Sequence, residues 1–319
     1  MQNTVSTATS VCFIRGAPTL WDADVETDAD VRPRSFPVNA ALEIDFYRYR
    51  EGFDMRKNGC IALGNTNMYY VSFGSGEKKL VVLPGLSDGL ATVKGKAWIL
   101  ASSNKKFFHD YTVYLFSRKN DMPEGYSIAD MADDQIQAMN RLGIGKACVL
   151  GVSQGGMIAQ SIAIRYPERV DRLILAVTAP SANDTVEENV AAWISMAKRG
   201  DHKRLMIDTA EKMYSEKYLD KNRKLFPLLA LFTRPSGYER FFRNADAILN
   251  FDVRKELPMI TAPTLIIAGS GDKTVGNHAA EELKRGIPGS SLFVYEGLGH
   301  GAFEEAKDFY DRVLAFCDQ

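Results

Sequence analysis

Gly151-Val152-Ser153-Gln154-Gly155 is followed directly by Gly156. A strand-like run, KACVLGVS, leads into the serine without a spacer, and a helical run, QGGMIAQSIAIRYPERV, leaves it and is stopped at Pro167. That context is what a nucleophile elbow requires. The turn is so tight that its central residue takes a strained backbone, and the glycines remove side chains that would collide with strand and helix. The Ser153 hydroxyl is then lifted off the sheet beside a helix N-terminus, whose unpaired N–H groups favour negative charge. The other reading of the same residues is a glycine-rich structural turn.

A serine hydroxyl attacks a carbonyl only if a base takes its proton. The chain has four histidines. His300 lies in GLGHGAFEEA, between the last strand and the closing helix, with Gly299 and Gly301 giving the backbone freedom to turn. A loop at the C-terminal edge of a parallel sheet is where side chains converge on a ligand, so His300 is the candidate base. His109, His202 and His278 read as surface or helix-end residues. The base needs a carboxylate to orient it and to stabilise its protonated form. Asp272 follows APTLIIAGSG directly and is the candidate; Gly-Asp is also a common turn dipeptide, and Asp184 is the fallback. The chain order Ser153, Asp272, His300 differs from the orders of chymotrypsin-like and subtilisin-like proteases.

An oxyanion site completes such a set. Its expected donors are the backbone N–H of Gln154, just after the serine, and that of Leu86 in LPGLSDG (83–89). Ser87 and Asp88 are candidate substrate contacts in that loop, or ordinary turn residues. Trp193, Met196, Phe226, Phe232, Phe241 and Phe242 stand at helical spacing and line either a core or an acyl pocket. Trp193 and Phe232 are the two put forward as substrate contacts.

The elements that must position these residues are legible from the pattern. CIALG and MYYVSFG, joined by Asn65-Thr66-Asn67, read as an antiparallel hairpin. KLVVLPG, YTVYLFS, RLILAVT, APTLIIAG and SLFVYEG read as buried strands. SIADMADDQIQAMNRLG opens on Ser127 and Asp130, carries an apolar stripe and ends at Gly143, as a helix does. AFEEAKDFYDRVLAF reads as one closing amphipathic helix. Strand–helix alternation with apolar strands gives an α/β fold: a mostly parallel sheet flanked by helices on both faces. Residues 183–258 break the rhythm, with helical runs and no strand, and read as an α-helical cap inserted into a core of 58–182 and 259–319. Residues 1–57, with the acidic stretch DADVETDAD, read as a flexible or loosely docked extension; Met55 is an alternative natural start.

Composition bounds the partners. The 319 residues carry 39 basic and 40 acidic side chains, a formal charge of −1. That argues against nucleic acid, which needs a basic surface. Hydrophobic residues at 45% and charged ones at 25% are those of a globular chain. No run reaches the roughly 18–20 apolar residues of a membrane span. The four scattered cysteines (Cys12, Cys60, Cys148, Cys317) read as buried, reduced thiols of a cytoplasmic protein. Metal-ligand spacing and nucleotide-binding glycine motifs are missing from the sequence, so neither a metal nor another cofactor is expected.

GVSQGG, the helix MIAQSIAIRYPERVDRLIL behind it, APTLIIAGSGD and EGLGHGAFEEAKDFYDRVLAF together resemble the α/β-hydrolase superfamily over roughly residues 58–317. Among its members the chain looks most like small bacterial esterases, enol-lactonases and haloperoxidase-like hydrolases with a helical cap. Two departures stand out. Many relatives carry His-Gly after the third strand, where this chain has Leu83-Pro84-Gly85-Leu86; many carry D-x-R-G-x-G-x-S after the fourth, where it has FSRKNDMPEGYS. The resemblance implies a serine hydrolase acting on a small-molecule carboxylic ester or lactone. An acyltransferase, thioesterase or peptidase with the same triad is the first alternative. A ligand-binding protein with a vestigial triad is the second.

Overall fold

The computed structural model describes residues 55–319. Most of the expected 1–57 extension, Cys12 included, lies outside the described residues. β1 (Lys57–Leu63) and β2 (Thr66–Phe73) form the expected hairpin. Leu63 pairs with Thr66, so the turn is Gly64-Asn65 and not Asn65–Asn67. Gly64 takes φ 62°, a left-handed conformation open to glycine, which lets the strands close in two residues. Then follow β3 (Lys78–Leu83), α1 (Ala97–Ser103), β4 (Tyr111–Lys119), α2 (Ile128–Arg141), β5 (Ala147–Val152), α3 (Gln154–Arg165) and β6 (Val170–Ala176). Five helices come next: α4 (Asp184–Lys198), α5 (His202–Met213), α6 (Glu216–Asn222), α7 (Phe226–Phe232) and α8 (Glu239–Leu249). The chain closes with β7 (Thr264–Gly269), α9 (Ala279–Gly286), β8 (Ser291–Tyr295), α10 (Ala302–Glu305) and α11 (Phe309–Cys317).

The eight strands among the described residues form one sheet in the order β1-β2-β4-β3-β5-β6-β7-β8. β1 and β2 are antiparallel, β2 is antiparallel to β4, and every other pairing is parallel. Alternate side chains of a strand face opposite sides. Accordingly Val81, Leu83, Val149, Leu173 and Leu175 join one core with α2, α3 and α9. Leu80, Val82, Leu150, Ile174 and Ala176 join a second with α1 and α11. α2 begins where its sequence says: Ser127 Oγ accepts from Asp130 N at 3.1 Å, and Asp130 Oδ2 accepts from Ser127 N at 2.9 Å, a reciprocal cap.

α4–α8 form a helical layer between β6 and β7. The chain enters and leaves it through one bridge, Ser181 opposite Asp252, flanked by Ala182 N–H to Phe251 O and Val253 N–H to Pro180 O, each 2.9 Å. Two helical runs are broken where periodicity shows no break. Within 183–258, the helical pattern of KRLMIDTAEKMYSEKYLD (203–220) is interrupted at Tyr214, and Ser215 caps α6 by accepting from Tyr218 N. The closing run divides at Ala306, whose backbone is extended. The two breaks meet: Tyr214 hydroxyl donates to Glu304 at 2.7 Å, and Ser215 N donates to Glu305 at 2.9 Å. Cap and core are stitched there, and a helical period carries no trace of it. The expectation for the cysteines needs one correction: Cys148 and Cys317 are buried and free, but Cys60, on the outer strand β1, is exposed. Among the described residues no helix is long and apolar enough to cross a membrane.

Candidate active site

Parallel strands point the same way, so the loops after β3, β5, β7 and β8 gather at one edge of the sheet. Ser153 sits between the end of β5 and the start of α3, as the N-cap of α3, with φ 54° and ψ −121°. A non-glycine residue there is strained by about 1–3 kcal/mol and stays only when its surroundings hold it. Here Ser153 N donates to Ala176 O at 2.9 Å, and Thr178 Oγ1 donates to Ser153 O at 2.7 Å. Val177, between those two partners, is itself at φ 46°. Gly155 is required by contact: a methyl group on it would lie 1.9 Å from Leu83 O.

His300 and Asp272 are 3% and 4% exposed. His300 Nδ1 stands 2.8 Å from Asp272 Oδ2, and since a carboxylate only accepts, Nδ1 carries the proton and Nε2 is the basic nitrogen. Asp272 Oδ1 accepts from Thr274 N at 2.8 Å and from Val275 N at 3.0 Å. Both carboxylate oxygens are thereby engaged. The fallback, Asp184, is the first residue of α4 and has no bond to His300.

Ser153 and His300 line the same cavity, about 140 Å³. Leu86, Ser87 and Trp193 line it too, with Leu205, Met206, Phe241 and Phe303. No Asp, Glu, Lys or Arg is among its lining residues. The loop after β3 passes directly over the serine: a methyl on Gly85 would sit 3.3 Å from Ser153 Cβ. Leu86 begins a short 3-10 turn, Leu86–Gly89. Gln154 is the first residue of α3, and first-turn amides have no acceptor within their own helix. A wider surface cleft of about 760 Å³ runs behind the loop that carries Asp272, past Asp184, Lys273 and His278, and includes neither Ser153 nor His300.

Two substrate contacts expected from sequence fall elsewhere. Phe232 is 59% exposed on α7 and does not line the cavity. Asp88 is buried beside it, with its carboxylate turned to arginines. Asp88 Oδ2 accepts from Arg118 N at 2.9 Å and from Arg240 Nη2 at 2.5 Å. Burial pushes this carboxyl up, but Arg240 and Arg118 outweigh it and hold it below the ordinary value.

Sequence reasoning missed the groups by which the inserted helices brace the loops that carry Asp272 and His300. Asn189 of α4 donates to Lys273 O at 2.8 Å and to Thr274 O at 3.1 Å in the loop that carries Asp272. Met213 O, at the end of α5, accepts from Gly301 N at 2.7 Å. A methyl on Gly299 would lie 2.6 Å from that carbonyl. A methyl on Gly301 would lie 2.7 Å from the Tyr214 ring, and neither glycine has a positive φ, so both serve close approach and not a free turn. Among the described residues no three His, Cys, Asp or Glu side chains cluster as metal ligands.

A family model described as the alpha/beta hydrolase fold matches residues 114–307, more than half of the chain. The chain belongs to the α/β hydrolase fold family. AB hydrolase superfamily protein YisY of Bacillus subtilis is 33% identical over 211 residues, covering 62% of this chain and 76% of that protein. 3-Oxoadipate enol-lactonase 2 of Acinetobacter baylyi is 26% identical over 193 residues, 60% of this chain and 70% of that one. Among solved structures, MGS-M2, an alpha/beta hydrolase enzyme from a Medee basin deep-sea metagenome library, has a TM-score of 0.72 at 22% identity, over 82% of this chain and 98% of its own. That likeness is one of fold.

Proposed function

We propose that this α/β hydrolase is a serine enzyme cleaving a carboxylic ester or lactone through an acyl-enzyme. The observation that carries the reading is the buried Asp272–His300 hydrogen bond facing the cavity into which Ser153 projects. His300 Nε2 takes the Ser153 proton as Oγ attacks the carbonyl. The N–H groups of Gln154 and Leu86 receive the developing oxyanion, each such donor contributing about 10²–10³-fold in rate. His300 returns its proton to the leaving alkoxide, which in a lactone stays tethered to the acyl group. Water, deprotonated by the same nitrogen, then frees Ser153. The uncharged lining favours a neutral substrate with an apolar acyl group, because a carboxylate buried there would find no cation. The name of the Acinetobacter relative adds support for a lactone ester as the bond cleaved, and not for the neutral acyl group, since the lactone of a diacid keeps one carboxylate.

The test is a panel assayed on the protein and on Ser153→Ala side by side. It holds p-nitrophenyl esters of rising acyl length, neutral lactones, a thioester and an aminoacyl amide. Turnover of esters or lactones that disappears in the folded variant is the expected outcome. Retained hydrolysis in Ser153→Ala would end the serine assignment, and a preference for the thioester or amide would move the substrate class.

A further inference from the structure

Asp88 belongs to the oxyanion loop but does not line the cavity, and the groups around it connect that loop to the cap. We infer that Asp88, Arg118 and Arg240 form a buried clasp through which cap helix α8 positions both expected oxyanion donors. The inference rests on the serine-hydrolase reading for its catalytic consequence, though the clasp itself is a matter of packing.

One cap side chain serves four acceptors of the core. Arg240 donates to Asp88 O and Asp88 Oδ2 in the loop, and to Arg118 O at 2.9 Å and Lys119 O at 3.3 Å at the end of β4. The Asp88 carboxylate also anchors Arg118, through its N–H and with Nη1 3.7 Å away. Arg118, 1% exposed, passes the connection on: its Nη2 donates to the Gln154 side-chain oxygen at 2.8 Å. The Gln154 amide in turn donates to Asn244 O of α8 at 2.9 Å. Gln154 therefore reaches the same cap helix by two routes, and Leu86 lies two residues from Asp88. The loop and α8 also touch backbone to backbone, since a methyl on Gly89 would meet Phe241 Cα at 2.9 Å.

Charged partners this buried are costly to separate, because the survivor is left without compensation. Lifting α8 therefore strips donors from the loop and from β4 together. Cap seating and alignment of the two N–H groups become one event. Arg118, Asp88 and Arg240 are positioning residues, since none of them lines the cavity.

The experiment compares the full chain with Arg240→Met, Arg240→Lys and Arg243→Met. Arg243 stands on the same helix and pairs with exposed Glu124 at 3.0 Å, so it controls for loss of a guanidinium alone. Backbone hydrogen exchange is followed at residues 85–91 and in the β1–β2 hairpin. Kinetics use p-nitrophenyl butyrate and a trifluoromethyl ketone of matching chain, which forms an oxyanion on Ser153. Arg240→Met should speed exchange at 85–91 and leave the hairpin unchanged. Its kcat should fall about 10–100-fold, part of the loss expected for a deleted oxyanion donor, with KM within about threefold. Inhibition by the ketone should weaken in step with kcat/KM. Arg240→Lys should recover part of both effects and serves alone if the Met variant does not fold. Arg243→Met should match wild type throughout. Unchanged exchange at 85–91 would overturn the clasp. Exchange that rises while kcat stays within twofold, or a loss seen only in KM, would overturn its positioning role. Undiminished turnover in Ser153→Ala would reject the serine mechanism and leave the exchange result standing.

Discussion

Replacing Asp272 by Asn separates the role of its charge from its role in holding the loop. In the native site Oδ1 accepts two backbone N–H groups, from Thr274 and Val275, and Oδ2 accepts from His300 Nδ1. An Asn side chain keeps the first pair only with its oxygen in the Oδ1 position; the reversed amide would set its NH₂ against two donors. Its NH₂ must then face His300 Nδ1, which can pair only by giving up its proton. The proton moves to Nε2, and the nitrogen that should deprotonate Ser153 no longer can. On the proposed mechanism the wrong tautomer should lower kcat by about 10⁴, or roughly 5.4 kcal/mol at 1.36 per factor of ten. Stability should fall by no more than about 1 kcal/mol, because the loop's hydrogen bonds survive. Asp272→Ala gives the opposite balance. It leaves two buried N–H groups unpaired, at about 1–3 kcal/mol each. The assay is ester turnover together with urea denaturation for wild type, Asp272→Asn, Asp272→Ala and, as a control on the cap, Asp184→Asn. An Asp272→Asn variant that keeps more than a tenth of wild-type kcat, or that is as unstable as Asp272→Ala, would refute this division between charge and loop.

Two further outcomes follow from strain and from burial. Ser153→Gly should be inactive yet more stable than Ser153→Ala. Relief of φ 54° returns about 1–3 kcal/mol, against about 0.5–1 for glycine's extra freedom when unfolded; a lower urea midpoint for the Gly variant would contradict this. His202 is buried at the start of α5, with Nε2 3.2 Å from Thr233 Oγ1. Burial, and then the Arg234 charge, lower its pKa from the ordinary 6.5. Between the lowered folded value and 6.5 the unfolded chain binds the proton and the folded one does not. Stability is therefore whole above pH 6.5 and declines as pH falls below it. The drop in urea midpoint between pH 7.5 and 5.5 should be smaller in His202→Gln, and an equal drop would remove His202 as its source.

Much of this architecture could be read along the chain because it is written locally. The strands of the sheet are short apolar runs, and the caps of α2 lie within its own sequence at Ser127 and Asp130. That Ser153, Asp272, His300 and Leu86 lie together could be read from the sequence because each follows a recognisable strand, and parallel strands deliver their ends to one edge. Periodicity failed where tertiary contact decided the backbone, at Tyr214 and Ala306. It also failed on the purpose of single residues. Asp88 has the type and place of a substrate contact, but Arg240, 152 positions away, claims it. Phe232 has the spacing of a pocket residue but points to solvent. Nothing local in Arg240 or Asn189 announces what it will hold, because the partner is fixed only when the insertion folds back.

The narrow neck at Ser181 and Asp252 has a bearing on how such enzymes diverge. To the sheet, everything between those two residues is equivalent to a turn. Its length and content can change without disturbing a single strand pairing, since the entropy of closing a longer loop grows only slowly. Ser153, His300 and Asp272, the proposed nucleophile, base and acid, all lie outside the neck, so a lineage can exchange its roof, and with it the shape of the cavity, while keeping those three residues in place. The freedom is not complete. An incoming roof would have to bring a carbonyl to Gly301, an amide to the acid loop and a guanidinium to Asp88. Those three sockets, more than the roof's sequence, are what descent would have to preserve.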